Sequence, residues 1–187
     1  MGKEIRRRLR VAAEEHQYAV VERSALVGAD ELQGFVVGTD REWTLLAVAD
    51  TMALDGFAAL RTRDISAVRR RSAARDLMGR WLRRHGPWPP PGPVGGAFPL
   101  GAARTVVEAA AQRYGLVSLF GEDMDPDVVT IGVPRSYGKR KLGLLEVDSR
   151  ARWEREVTKV PYEEITRVDF GDRYNSVLAG LAGPCPS

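Results

Sequence analysis

Residues 9–82 and 105–182 carry the same order of segments, and this internal duplication constrains the fold more than any other feature of the chain. At an offset of 96, Tyr18-Ala19-Val20-Val21 lies over Tyr114-Gly115-Leu116-Val117, and Leu32–Val37 lies over Val128–Val133. At an offset of 99, Leu45–Val48 meets Leu144–Val147, which implies three extra residues in the preceding turn of the second copy. At an offset of 100, Asp64–Val68 meets Glu164–Val168, adding one residue to the next hairpin. Insertions confined to turns are the ones a duplicated fold tolerates. The same offset of 100 sets Leu77, Met78, Trp81 and Leu82 over Val177, Leu178, Leu181 and Ala182 at helical spacing. Before the strands, Leu9–Gln17 and Thr105–Arg113 are Ala/Glu/Arg-rich helical segments. Each unit therefore reads as helix, about five strands, helix.

The strands are short apolar runs bounded by turn residues such as Gly28-Ala29-Asp30 and Gly38-Thr39-Asp40. Trp43–Val48 is dense in aromatic and aliphatic residues, as a buried strand is. Asp55-Gly56 is a hairpin dipeptide, whose counterpart around Ser149–Trp153 lacks such a signal. Residues 65–69 alternate apolar and polar, which predicts a strand with one wet face. Between the copies, residues 86–96 hold so many prolines and glycines that neither helix nor strand forms. Trp88 and Phe98 are expected to pin this linker to a barrel surface. The organisation is a first unit over 1–85, a linker over 86–100 and a second unit over 101–187.

The stretch Leu32-Gln33-Gly34-Phe35-Val36-Val37-Gly38-Thr39-Asp40, continued by Trp43-Thr44-Leu45-Leu46 and Ile65-Ser66-Ala67-Val68, resembles the Sm-like family of SH3-type small barrels. It is also similar to a group of bacterial proteins that share the pattern from Gly34-Phe35-Val36-Val37 through Trp43, Leu45-Leu46 and Leu54–Arg61 to Asp64-Ile65. The resemblance implies a mainly β, α+β fold of two tandem Sm-like small barrels, each of about five bent antiparallel strands with an N-terminal and a C-terminal helix. It also implies single-stranded RNA at loops after the second strand and before the fifth. Asp40 has no Asn beside it, and the second loop reads Arg61-Thr62-Arg63-Asp64 in one copy and Pro161-Tyr162-Glu163-Glu164 in the other, so the family's RNA signature is not present as such.

Composition narrows the chemistry. One cysteine, Cys185, excludes an intramolecular disulfide and a thiolate metal site, and His16 and His85 have no spacing that forms a ligand set or a catalytic base. The acidic run Glu122–Asp127 lacks the glycine and distal glutamate of a calcium loop. No metal, cofactor, catalytic residue or small-molecule substrate is expected. No run approaches the roughly 18 apolar residues that span a bilayer, and the basic start lacks the apolar core of a signal peptide. A cytoplasmic protein without a membrane partner is the expectation.

Charge is uneven. Residues 1–85 carry 16 Lys and Arg against 12 Asp and Glu, while 86–187 carry 12 against 13. Two basic groups stand out. Arg135, Tyr137, Lys139, Arg140 and Lys141 are expected on one enlarged, flexible turn of the second copy, where cations and an aromatic suit phosphates and bases. Arg61 and Arg63 open an arginine belt that ends in Arg75, Arg80, Arg83 and Arg84, the polar side of an amphipathic helix able to dock a partner. The expected function is a non-catalytic binding module, for protein interaction or self-assembly, with single-stranded RNA or DNA binding through the basic loops as the alternative.

Overall fold

The computed structural model describes residues 2–186. Its elements are α1 (Lys3–Glu14), β1 (Tyr18–Glu22), β2 (Leu32–Thr39), β3 (Trp43–Asp50), β4 (Ala53–Arg61), β5 (Ala67–Arg71), α2 (Leu77–His85), α3 (Ala103–Tyr114), β6 (Val117–Phe120), β7 (Val129–Tyr137), β8 (Lys141–Val147), β9 (Trp153–Pro161), β10 (Arg167–Phe170) and α4 (Arg173–Ala182). All ten strands lie in one antiparallel sheet, in the order β5-β1-β2-β3-β4-β10-β6-β7-β8-β9. The two tandem barrels expected from the sequence are not formed. The edge of β4 takes β10 of the second half, so the sheet stays open and runs through both copies.

The duplication survives this correction with a different register. Gly34 and Gly132 occupy the same place: a Cβ would sit 2.1 Å from the Ala47 carbonyl oxygen in one half and 2.3 Å from that of Leu145 in the other. The strand pairings then relate β1, β2 and β3 to β6, β7 and β8 at an offset of 98, since Gly34 pairs with Val48 and Gly132 with Glu146. From β4 onward the offset is 100, where Thr62–Asp64 and Tyr162–Glu164 form matching 3-10 turns. The N-caps of the last helices, Asp76 and Asp172, stand 96 apart.

The expected enlarged turn is therefore absent: three residues link β2 to β3 and three link β7 to β8. Nor does Asp55-Gly56 turn the β3–β4 hairpin. Thr51 and Met52 do so, both with positive φ as that type of two-residue turn requires. Gly56 lies within β4 at φ +68, where a Cβ would strike the Asp172 backbone at 2.5 Å.

The core is shared. In the first half α1 lays Leu9 and Ala12 over Ala19, Val21, Leu46, Ala58, Leu60 and Val68. Because side chains alternate along a strand, Ala59 points the other way. There it joins Trp43 and Leu45 in a second cluster with Val106, Val107 and Ala110 of α3 and with Leu142, Leu144 and Phe170. The two expected residues pin the linker, to the open sheet instead of a barrel: Trp88 packs edge-on against Phe35, and Phe98 stacks on Phe170 with ring centroids 5.1 Å apart. Among the described residues no helix is long and apolar enough to cross a membrane.

Replacing Gly34 with Ala forces β3 away from β2. A loss of about 1–3 kcal/mol is expected from such overpacking, read as a lower midpoint in urea unfolding. An unchanged midpoint would contradict the assigned close approach.

Candidate functional site: the seam and the two free edges

Four residue pairs, Arg167 with Leu60, Val168 with Ala59, Asp169 with Ala58 and Phe170 with Phe57, make the seam between the halves. The Arg61 amide adds a bond to the Thr166 carbonyl at 2.9 Å. Phe57 and Phe170 stack at 5.5 Å, a contact worth about 0.5–1.5 kcal/mol beyond the area it buries.

Beside these strands the loop from Arg23 to Glu31 meets the loop from Gly121 to Val128. Arg23 and Glu122 form a bidentate ion pair across the seam, with side chains 0% and 2% exposed. The Glu122 carboxylate also accepts from the Thr166 hydroxyl at 2.6 Å, while Arg23 donates to the Asp30 carbonyl at 3.3 Å. Arg23 Nε finds no acceptor among the described residues. A charge pair taken out of water contributes little net stability, yet loss of one member strands the other. The pair thus specifies which surfaces meet.

Arg61 extends the network, pairing with Asp64, donating to Asp123 at 2.9 Å and to the Glu163 carbonyl at 2.9 Å. Arg167 lies over the Phe120 ring at 4.3 Å and pairs with Asp169, whose carboxyl burial pushes above its ordinary value against the pull of that arginine. Gly28, at φ +84, lets the Pro126 ring approach to within 2.8 Å of where a Cβ would stand.

The seam occupies two edges and leaves two others open, β5 at one end of the sheet and β9 at the other. The Tyr162 amide donates to the Arg140 carbonyl on the β8 side. By the alternation of an antiparallel ladder, residues 157, 159 and 161 of β9 therefore direct their backbone groups outward. On β5 the matching outward carbonyl is that of Val68, which accepts from Arg8 of α1 at 3.3 Å. Next to β9 lies a cleft of about 240 Å³ walled by Leu119, Phe120, Gly121, Met124, Val160 and Pro161. Met124 and Val128 at its mouth are 76% and 53% exposed.

The residues singled out in the sequence fall in several places. Arg135 and Tyr137 belong to β7 and Lys141 begins β8, leaving only Lys139 and Arg140, with Gly138, in the turn. Lys139, Arg140 and Lys141 are exposed and Tyr137 is half-buried. Arg135 donates to the Pro186 carbonyl at 2.7 Å instead of joining them. Arg61 is held by carboxylates at the seam, and Arg63 is exposed beside it. Arg75 precedes α2, and Arg80, Arg83 and Arg84 stand exposed on it, Arg83 against the Trp88 ring at 4.5 Å.

The meeting of Arg23 and Glu122 and the close approach at Gly28 were not anticipated, although Gly28 and Glu122 were placed in turns. Each is a single ordinary loop residue, and only the seam gives it meaning. Among the described residues no cluster of His, Cys, Asp and Glu could hold a metal. No protein-family model, curated protein or solved structure matches the chain.

Glu122→Gln leaves the Arg23 guanidinium buried without its counter-charge and is expected to cost about 3–5 kcal/mol. Asp123→Asn, at the exposed rim, is expected to cost less than about 1 kcal/mol. Denaturant unfolding of the two variants checks the order, and equal effects would remove Glu122 from its central role.

Proposed function

We propose that the chain is a non-catalytic assembly module that joins copies of itself head to tail, the β9 edge of one copy receiving β5 of the next. One observation carries this reading. The halves have the same strand order, β5-β1-β2-β3-β4 and β10-β6-β7-β8-β9, and the seam joins the last strand of one to the first strand of the other. What remains free is again a last strand, β9, and a first strand, β5. The chain thus exposes at its ends the two surface types that it joins in its middle.

Transferring the seam register sets Ala67 opposite Val160, Val68 opposite Lys159, Arg69 opposite Thr158 and Arg70 opposite Val157. Carried one pair further, it brings Arg71 to Glu156. Such a joint is heterologous, so repeated addition closes a ring or extends a fibre.

Two features make this joint weaker than the seam. Pro161 has no amide to donate where Arg61 donates to Thr166. Arg8 must release the Val68 carbonyl before a partner strand takes it. Charged side chains and a proline along an edge are the devices that keep strand addition selective. Assembly is therefore concentration-dependent.

Sedimentation velocity is expected to show species larger than the 20.6 kDa chain that grow with concentration. Lys159→Pro removes an outward amide at an edge position that accepts proline, and it is expected to shift the chain to monomer with its fold intact. A wild-type chain that stays monomeric up to roughly 100 µM, weak for a specific joint, would refute the reading.

A further inference from the structure

The loops that meet at the seam have counterparts at the free ends, and their side chains have changed together. On the receiving side of the seam stand Arg23 and Arg61; the equivalent positions beside β9 hold Gly121 and Pro161. On the docking side stand Glu122 and Asp123; the equivalent positions next to β5 hold Ser24 and Ala25. The two arginines are gone from one free end, where Lys159 is the cation lining the cleft, and the two carboxylates from the other. In the first half the counterpart of the cleft is filled by the buried Arg23 and Leu26. In the second half it stands open, because Gly121 supplies no side chain and Met124 turns outward.

We propose that the cleft beside β9 receives residues 24–28 of a second copy, so that an apolar plug takes the place of the ion pairs of the seam. This rests on the head-to-tail reading and adds to it the contact that gives the joint its partner. Val27, 85% exposed in the free chain, is the plug's main side chain, and Met124, Phe120 and Pro161 are the walls that meet it.

The geometry of the seam supports the placement. Gly28 and Pro126 occupy equivalent positions in the two loops, so the transferred joint brings Pro126 of one copy to Gly28 of the next, with the receiving and docking roles of the two residues exchanged.

The exchange of charge for apolar surface also sorts partners. The Glu122–Asp123 loop of another copy, placed in the cleft, would bring carboxylates against Pro161 and Phe120 with no arginine to meet them. Residues 24–28 placed at the seam would leave Arg23 buried and unpaired. Each wrong pairing strands charge, which is how an interface rejects a near-identical competitor. The second half of one copy therefore accepts only the first half of another.

The test is a charge transfer across the joint, read by sedimentation equilibrium on the full chain. Val27→Asp and, separately, Ser24→Glu lie on exposed loop positions and are each expected to weaken association about ten-fold or more, on the scale of one lost interface contact. Gly121→Arg alone should weaken it as well, by filling the cleft. Ser24→Glu combined with Gly121→Arg rebuilds the seam's own pair at the joint and should restore association to within about three-fold of wild type, as a double-mutant cycle of coupled residues requires.

If Val27→Asp and Ser24→Glu assemble like wild type while Lys159→Pro still dissociates, the strand joint stands and the plug is overturned. If the double variant is no better than its singles, the paired exchange is overturned. If wild type is a monomer throughout, both proposals fall.

Discussion

Four residue pairs between β4 and β10, flanked by the buried Arg23–Glu122 pair, turn two short repeats into one ten-stranded sheet. Neither half has enough of its own to end there. Ala59, Trp43 and Leu45 of the first half complete the cluster under α3, and the β4 edge would otherwise expose its ladder groups to solvent. The ion pair adds direction more than stability, since a buried pair costs nearly as much desolvation as it returns. Its value lies in the penalty for meeting the wrong surface.

Much of the architecture was legible from the residues. The duplication, the helix–strands–helix order of each unit, the identity of nearly every strand and the anchoring of the linker by Trp88 and Phe98 all follow from apolar spacing and from Pro and Gly placement. The register between copies was not. Offsets of 96 and 98 for β2 differ by two residues, and a strand moved by two keeps every side chain on its face, so the hydrophobic pattern cannot separate them. Gly34 and Gly132 do separate them, through a backbone approach that no pattern reveals. Two residues of the insertion expected before β8 followed from that misalignment, and the third from setting β3 on β8 at 99 where the pairings give 98.

Closure into two barrels failed as an expectation for a related reason. A strand's composition reports that its edge needs a partner and is silent on which strand supplies it. Here the supplier is more than 100 residues away in sequence, β10 for β4. The seam's ion pair escaped notice likewise, because Arg23 and Glu122 look in isolation like solvated loop charges. The comparison of equivalent positions across the duplication is what gives Ser24, Ala25, Gly121 and Pro161 their meaning.

A chain that joins like to like in its middle and leaves the same surface types at its ends should join copies by the same geometry, and cysteine cross-linking reads that geometry directly. In a Cys185→Ser background, Arg69→Cys and Thr158→Cys chains are mixed and oxidised. Residues 69 and 158 match the seam pair Asp169–Ala58, a pair whose backbone groups point away from each other, so their Cα atoms should stand about 4.5 Å apart, within disulfide range. The account predicts a mixed dimer from this pair and little from Arg69→Cys with Glu156→Cys, two residues out of register. Absence of the 69–158 product, or equal yield from the displaced pair, would contradict it.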